Sequence, residues 1–178
     1  MLSYVFIGDK MKANKLYFLT GITFVSVLGT FLHFAYKLTG NNFVVGLFTP
    51  VNESVWEHTK LIFFPMLLYQ LFWMLLRKNG IDSAFSKSVL GAFAGVLSVI
   101  VLFYTYSGII GYNIAFLDIS IFYISVIAAF IVADRTPLFS KGNTQSGFMI
   151  LLAVLMIAAY IIFTLYPPRI PLFSQPQQ

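Results

Sequence analysis

Apolar residues in this chain gather into five long blocks separated by short polar stretches. The first is Leu16–Tyr36, LYFLTGITFVSVLGTFLHFAY; the second runs from about Ser54 to Leu76 and contains LIFFPMLLYQLFWMLL. Val89–Gly108, Ile114–Ala133 and Gly147–Tyr166 complete the set. Each has roughly the 20 residues that a helix needs to cross the hydrocarbon core of a bilayer. The pattern predicts an all-α fold: an integral membrane bundle of five transmembrane helices, one transmembrane domain over residues 1–178, with an extended tail over 167–178. Pro65 falls inside the second block and should bend that helix or loosen its hydrogen-bond ladder. Gly91 and Gly95 form a small-xxx-small pair in the third, a mark of close helix packing. No solenoid-type repeat and no low-complexity segment is visible.

Composition strengthens this picture. Hydrophobic residues make up 59% of the chain and charged residues 10%, with a mean hydropathy of +0.86. Soluble domains carry about a quarter charged residues, so a water-exposed surface could not be covered here. The net charge of +5 does not mark a nucleic-acid partner. The basic residues lie in short loops between apolar runs rather than on one polar face, and they read as topology determinants. The absence of cysteine excludes disulfides, thiolate metal sites and thiol nucleophiles, and leaves the redox compartment open. The N-terminal MLSYVFIGDKMKANKLYFLTGITF has a basic lead into an apolar run but no Ala-x-Ala-like cleavage site. It reads as a retained first helix rather than a removed signal peptide. Met11, followed by KANK, is an alternative start to Met1, with residues 1–10 then a short extension.

If the spans alternate, Lys10, Lys12, Lys15, Arg77, Lys78, Lys87, Arg135 and Lys141 share one side, and Lys37, Lys60 and Arg169 the other. The positive-inside rule then places the N-terminus in the cytoplasm and the C-terminus outside. The expected location is the cell (plasma) membrane, as a multi-pass protein whose first partner is the lipid bilayer. The tail YPPRIPLFSQPQQ is too rich in proline to be helical. Its start, Tyr166–Phe173, is expected to dock on the outer face of the bundle and the rest to be disordered.

The stretch TPVNESVWEHTKLIFFP, Thr49 to Pro65, concentrates the titratable chemistry. Asp9, Asp82 and Asp134 sit beside basic loop residues on the cytoplasmic side. Glu53, Glu57, Asp118, His33 and His58 all fall on the outer side, on three different helices and at similar depth. At 1.5 Å per residue, that depth is roughly 5–9 Å inside the helix ends. On the second helix, Glu53, Ser54, Glu57 and His58 span an arc of about 140°. Trp56 is expected to point away, toward headgroups. Lys60 lies about one turn beyond Glu57 and is placed to neutralise a carboxylate. The polar arc must face the bundle interior or a water-filled vestibule, where His33, Tyr36 and Asp118 would meet it.

Local structure accounts for part of this cluster. Ser54 to Glu57, SVWE, fits a capping box, Asn52 is an equally good N-cap, and acids in a first turn suit the helix dipole. Pro50 after Thr49 marks a helix start. Capping explains Asn52, Glu53 and Ser54 better than Glu57 and His58. A carboxylate such as Asp118 inside an apolar span is functional by default, although a hydrogen bond to Tyr112 or Asn113 would also satisfy it. His33, Glu57, His58 and Asp118 form a divalent-metal set suited to zinc or iron, without the tight spacing of a His-Glu-x-x-His motif. No nucleotide loop, haem attachment or serine elbow is present.

These residues carry a resemblance. HFAYKLTGNNFVVGLFTPVNESVWEHTKLIFFPML, His33–Leu67, resembles the signature of a bacterial family of small multi-pass membrane proteins of unknown function. The pattern is His-Phe-x-Tyr, then Val-Asn-Glu-Ser-x-Trp-Glu-His-x-Lys-Leu, then a proline in the following helix. The chain matches it at His33, Phe34, Tyr36, Asn52, Glu53, Ser54, Trp56, Glu57, His58, Lys60, Leu61 and Pro65. YSGIIGYN with Asp118, and YPPRIPLF, are similar too, whereas the ending SQPQQ departs from the pattern. The resemblance implies the architecture and brings no activity.

Three functions compete on this reading. The favoured one is a polar outer cluster that binds a lipid headgroup, a small-molecule ligand or a partner. The first alternative is a metal- or acid/base-dependent hydrolase of a membrane-embedded substrate, with Glu57 or Asp118 as catalytic base and His33 and His58 as ligands or proton carriers. The second is a proton- or cation-coupled transporter. For that path, spans three and five supply only Ser98, Thr105 and Thr164 at depth.

Overall fold

The computed structural model describes residues 2–77, 82–136 and 143–175. Met1, Lys78, Lys141 and tail residues 176–178, on which parts of the start, orientation and tail readings rest, lie outside these. The helices are α1 (Leu2–Leu38), α2 (Phe43–Phe48), α3 (Val55–Arg77), α4 (Asp82–Ile110), α5 (Ala115–Arg135) and α6 (Asn143–Leu165), followed by a 3₁₀ turn at Pro171–Phe173. Five segments are long and apolar enough to cross a bilayer: Lys15–Leu38, Val55–Leu76, Phe85–Ile110, Ala115–Arg135 and Ser146–Leu165. The architecture is thus compatible with a multi-pass membrane protein. The largest offset from the sequence blocks is at the third span, which starts at Phe85 rather than Val89. Helix α1 also starts earlier, at Leu2, because Lys, Met and Ala between Gly8 and Leu16 are good helix formers.

Two features were not expected. The short helix α2 is started by Asn42, whose side-chain oxygen accepts the N–H groups of Val44 and Val45 at 2.9 and 3.2 Å. The chain reaches it through Gly40 and Asn41, both at positive φ (66° and 61°), a conformation Gly and Asn tolerate best. The tail, expected to be extended, turns once at Pro171–Phe173.

The outside of the bundle is more apolar than that of a soluble domain. Phe31, Leu75, Leu97 and Phe116 are exposed, whereas Ser54, Glu57, Lys60, Gln70, Ser88 and Ser125 are buried beside the apolar core. This arrangement is compatible with a hydrocarbon surrounding, where polar groups find no hydrogen bonds. Helix α3 is the central element: half of its apolar span is buried, against 17% of those of α1 and α6. At the end of the bundle holding Tyr17, the Tyr17 hydroxyl and the Ser88 hydroxyl both donate to Gln70 Oε1, at 2.8 and 2.7 Å. The Tyr69 hydroxyl donates to the Tyr17 carbonyl at 2.9 Å. These bonds join α1, α3 and α4.

Glycine permits the closest helix contacts. A methyl group on Gly91 would lie 2.6 Å from the Ala129 carbonyl oxygen, and one on Gly95 would lie 2.9 Å from Ala129 Cβ; α4 therefore lies directly on α5. A methyl group on Gly29 of α1 would lie 2.6 Å from the Leu61 carbonyl oxygen. Helix α3 runs on through Pro65, which has no N–H to give that carbonyl four residues earlier, so α1 packs against a backbone acceptor that the helix leaves free. Gly91→Ala should therefore cost about 1–3 kcal/mol by overpacking against backbone, read as a lowered unfolding midpoint in detergent. Gly108→Ala in the same helix, with nothing within 4 Å of the added methyl group, should leave the midpoint unchanged or slightly raised.

Candidate functional site

The loop between α2 and α3 is held by its own side chains. Asn52 Oδ1 accepts the Ser54 N–H at 2.9 Å, and Ser54 Oγ accepts the Glu57 N–H at 3.4 Å, capping α3. The capping box is only half formed, because Glu57 Oε2 accepts the Val51 N–H at 3.0 Å instead of reaching back to Ser54. Asn52 shapes the loop, and α3 begins at Val55 rather than at Pro50.

Glu57 and Lys60 meet in the interior. Lys60 Nζ is 2.6 Å from Glu57 Oε2, with side-chain exposures of 0% and 3%. Lys60 also donates to the Gly46 carbonyl at 3.0 Å, the Thr49 carbonyl at 3.3 Å and Thr164 Oγ1 at 2.7 Å. The Thr164 hydroxyl donates to Glu57 Oε1 at 3.0 Å. The pair thus ties α2 and its following loop to α3 and α6.

This placement corrects the expected set. Glu57 does not join His33, His58 and Asp118, because consecutive residues on a helix point about 100° apart. His58 faces α1, while Glu57 faces α2 and α6. Tyr36 is not part of the cavity lining either; its ring lies against Gly46 of α2. Trp56 does not reach outward: it is 8% exposed and stacks on Tyr160, Phe163 and Phe173, with ring centroids 4.8, 5.6 and 5.2 Å away. Leu172 and Phe173 are the docked part of the tail, whereas Tyr166 and Ile170 are exposed.

His33 and His58 meet Glu53 instead. Their rings lie 5.1 Å apart, His58 Nε2 is 3.3 Å from Glu53 Oε2, and His58 Nδ1 is 2.9 Å from the Ser54 carbonyl oxygen. One donor atom from each of His33, Glu53 and His58 lies within 4.8 Å of the other two. Lys37 Nζ lies 3.4 Å from Glu53 Oε1. The hydrogen bond from His58 holds the Glu53 carboxyl down at about 2 against the opposing effect of burial, with further help from the charges of His58 and His33 and from Lys37. Glu53 is therefore ionised at any physiological pH.

The trio borders a cavity of about 720 Å³ that Asp118 also lines. Asp118 is bonded by the Tyr106 hydroxyl, which itself accepts the Ile114 N–H at 3.1 Å, and by Asn113 Nδ2 at 3.5 Å. The satisfaction expected from Tyr112 thus comes from Tyr106 of α4. Of the described residues that line the cavity, His33 and Asn113 each bury an atom without a hydrogen-bond partner, Nδ1 and Oδ1; elsewhere Trp56 Nε1, Gln70 Nε2 and Ser125 Oγ do so too. The apolar wall comes from α1 and α5, where Phe34, Ile119 and Tyr123 line the cavity and are also exposed on the outside of the bundle.

A family model described as a family of unknown function (DUF6512) matches residues 7–177. The chain belongs to this family. No curated protein and no solved structure matches it. An uncharacterised family covering nearly the whole chain is what the resemblance at His33–Leu67 implied, and the chemistry of its site has to be argued from geometry.

Two polar assemblies therefore stand back to back on α3. The Glu57–Lys60 side is saturated with partners and sealed, which suits scaffolding. The His33–Glu53–His58–Asp118 side borders open volume and holds two buried polar atoms without partners, His33 Nδ1 and Asn113 Oδ1, which suits ligand binding. Sequence reasoning passed over Lys37 and Tyr106. Lys37 had a signal, four residues after His33 on the same helix face; Tyr106 had none, since only the α4–α5 turn brings it to Asp118. Lys60→Met should cost about 3–5 kcal/mol by stranding Glu57 in the interior. Lys60→Met with Glu57→Gln should cost clearly less than the sum of the single changes. Unfolding midpoints in detergent check both, and a stable Lys60→Met protein would show the pair to be dispensable.

Proposed function

We propose that this chain is a multi-pass plasma-membrane protein, N-terminus inside, whose outer-end cavity binds the anionic head of a membrane lipid. The observation that carries the reading is one cavity with two kinds of wall. Lys37 and the imidazoles of His33 and His58 offer positive or hydrogen-bonding groups at one side, where Lys37 and His58 also pair with the Glu53 carboxylate. The α1 and α5 residues Phe34, Ile119 and Tyr123 offer an apolar side continuous with the outer surface of the bundle. A head group with attached acyl chains needs that combination, since burial of chain carbons supplies binding free energy of about 0.8 kcal/mol per CH₂.

The interior beneath the cavity favours a binding site over a conduit. Val25, Ile62, Met66, Val126 and Phe130 are all at most 1% exposed and fill the bundle beyond His33, His58 and Asp118. An ion passing that plug would meet Ser125 and little else that is polar to replace its hydration. The hydrolase reading loses Glu57, which Lys60 and Thr164 engage away from the cavity.

Orientation follows from charge. Lys60 is buried beside Glu57, so it no longer counts as a loop charge, and the outer side keeps only Lys37 and Arg169. The chain lacks cysteine, which makes single-cysteine labelling direct. In intact cells a membrane-impermeant maleimide should label Thr39→Cys and Gln175→Cys, and should label Asp134→Cys only after permeabilisation; the opposite pattern overturns the orientation. For the ligand, short-chain phosphatidylglycerol added to the delipidated protein in neutral detergent should raise the unfolding midpoint. His58→Gln should weaken that response at least tenfold in concentration while remaining folded. An equal response to an uncharged glycolipid of the same chain length, or no response, sinks the reading.

A further inference from the structure

We infer that His33, Glu53 and His58 together hold one divalent metal ion of the zinc class, with an open coordination position facing the cavity. The inference rests on the reading of this cavity as a site for an anionic head and names the group that receives it.

The first argument is the tautomer of His58. Its Nδ1 lies 2.9 Å from the Ser54 carbonyl oxygen, and a carbonyl can only accept, so Nδ1 carries the hydrogen. Nε2 is the ring atom that faces Glu53 Oε2, 3.3 Å away; without an ion it donates its hydrogen to that carboxylate, and with one it ligates an ion that the carboxylate shares. A ring anchored by Nδ1–H to a backbone carbonyl, with Nε2 free to ligate, is the arrangement metal-bound histidines adopt.

The second argument is the place of His33. Its ring lies 5.1 Å from that of His58, and its buried Nδ1 has no hydrogen-bond partner. A single divalent ion serves both imidazoles and the carboxylate at once.

Geometry allows it. The three donor atoms lie within 4.8 Å of one another, whereas ligands at about 2.1 Å from a tetrahedral ion stand roughly 3.4 Å apart. His58 Nε2 and Glu53 Oε2 already stand 3.3 Å apart, so the contraction needed falls on His33, whose ring must swing toward that pair. Two imidazoles and one carboxylate are the donor set of zinc sites that keep a fourth position for water or ligand. Across the cavity, Asn113 Oδ1 is a buried acceptor without a partner, placed beside Asp118.

The test is metal counting on the full chain. Protein purified with chelator, then dialysed in detergent against zinc chloride, should hold about one zinc per chain by mass spectrometry. Glu53→Gln and His58→Gln should each weaken zinc binding at least tenfold, while Gly108→Ala should keep it; size-exclusion profile and unfolding midpoint report whether each variant is folded. If the ligand variants fail to fold, cobalt(II) on the wild-type chain gives the answer, since a tetrahedral nitrogen–oxygen site produces intense visible bands and a hydrated ion does not. Absence of zinc and of those bands in the wild type, or unchanged binding in folded variants, overturns the inference. Metal-free protein that still responds to phosphatidylglycerol removes the metal and leaves the lipid reading standing. Zinc binding without any lipid response supports the metal and removes the lipid.

Discussion

Lys60 and Glu57 meet inside the helix bundle at 2.6 Å, and most of what surrounds the candidate site is fastened to that contact. The ammonium also holds the carbonyls at the end of α2, at Gly46 and Thr49, and the carboxylate holds the Val51 N–H. The loop that follows therefore has little freedom, and Glu53 is carried by that loop. A buried ion pair of this kind is not strong evidence for stability, since desolvation offsets much of the attraction. Its effect is to select one geometry: with every donor and acceptor engaged, few other arrangements of α2, α3 and α6 satisfy both charges.

The polar groups of this protein divide according to whether their partners are complete. Gln70, Tyr17 and Ser88 at one end, and Lys60, Glu57 and Thr164 at the other, form bonded networks between helices. His33 and Asn113 keep a buried atom unpaired beside open volume. Trp56 Nε1, Gln70 Nε2 and Ser125 Oγ are also buried without a partner, but they do not belong to residues that line this cavity; beside open volume, an unpaired atom can be satisfied from outside the chain.

The five spans were legible because long apolar runs are long-range signals, and the close-packed role of Gly91 and Gly95 followed from their spacing alone. Helix α2 was not legible, since FVVGLF is too short to show a period and depends on Asn42 and a two-residue left-handed turn. At the site, the depth argument brought His33, His58 and Asp118 to one cavity. It could not separate Glu57 from Glu53. An arc of about 140° holds two faces of a helix, and Glu53, lying before Val55, is aimed by the loop and not by the helical period. Trp56 was misread for a related reason: interfacial tryptophans often face headgroups, but here Tyr160 and the returning Phe173 cover it.

The spacing of the buried pair also bears on how the chain is made. Glu57 and Lys60 are three residues apart on one helix, so each finds its counter-charge as soon as α3 coils, with no other helix present. Thr164, 104 residues further along, can close around them only after the last span has been synthesised. The nascent chain thus presents a span whose two buried charges already cancel, and the latest-emerging helix locks a neutral dipole rather than rescuing a stranded ion.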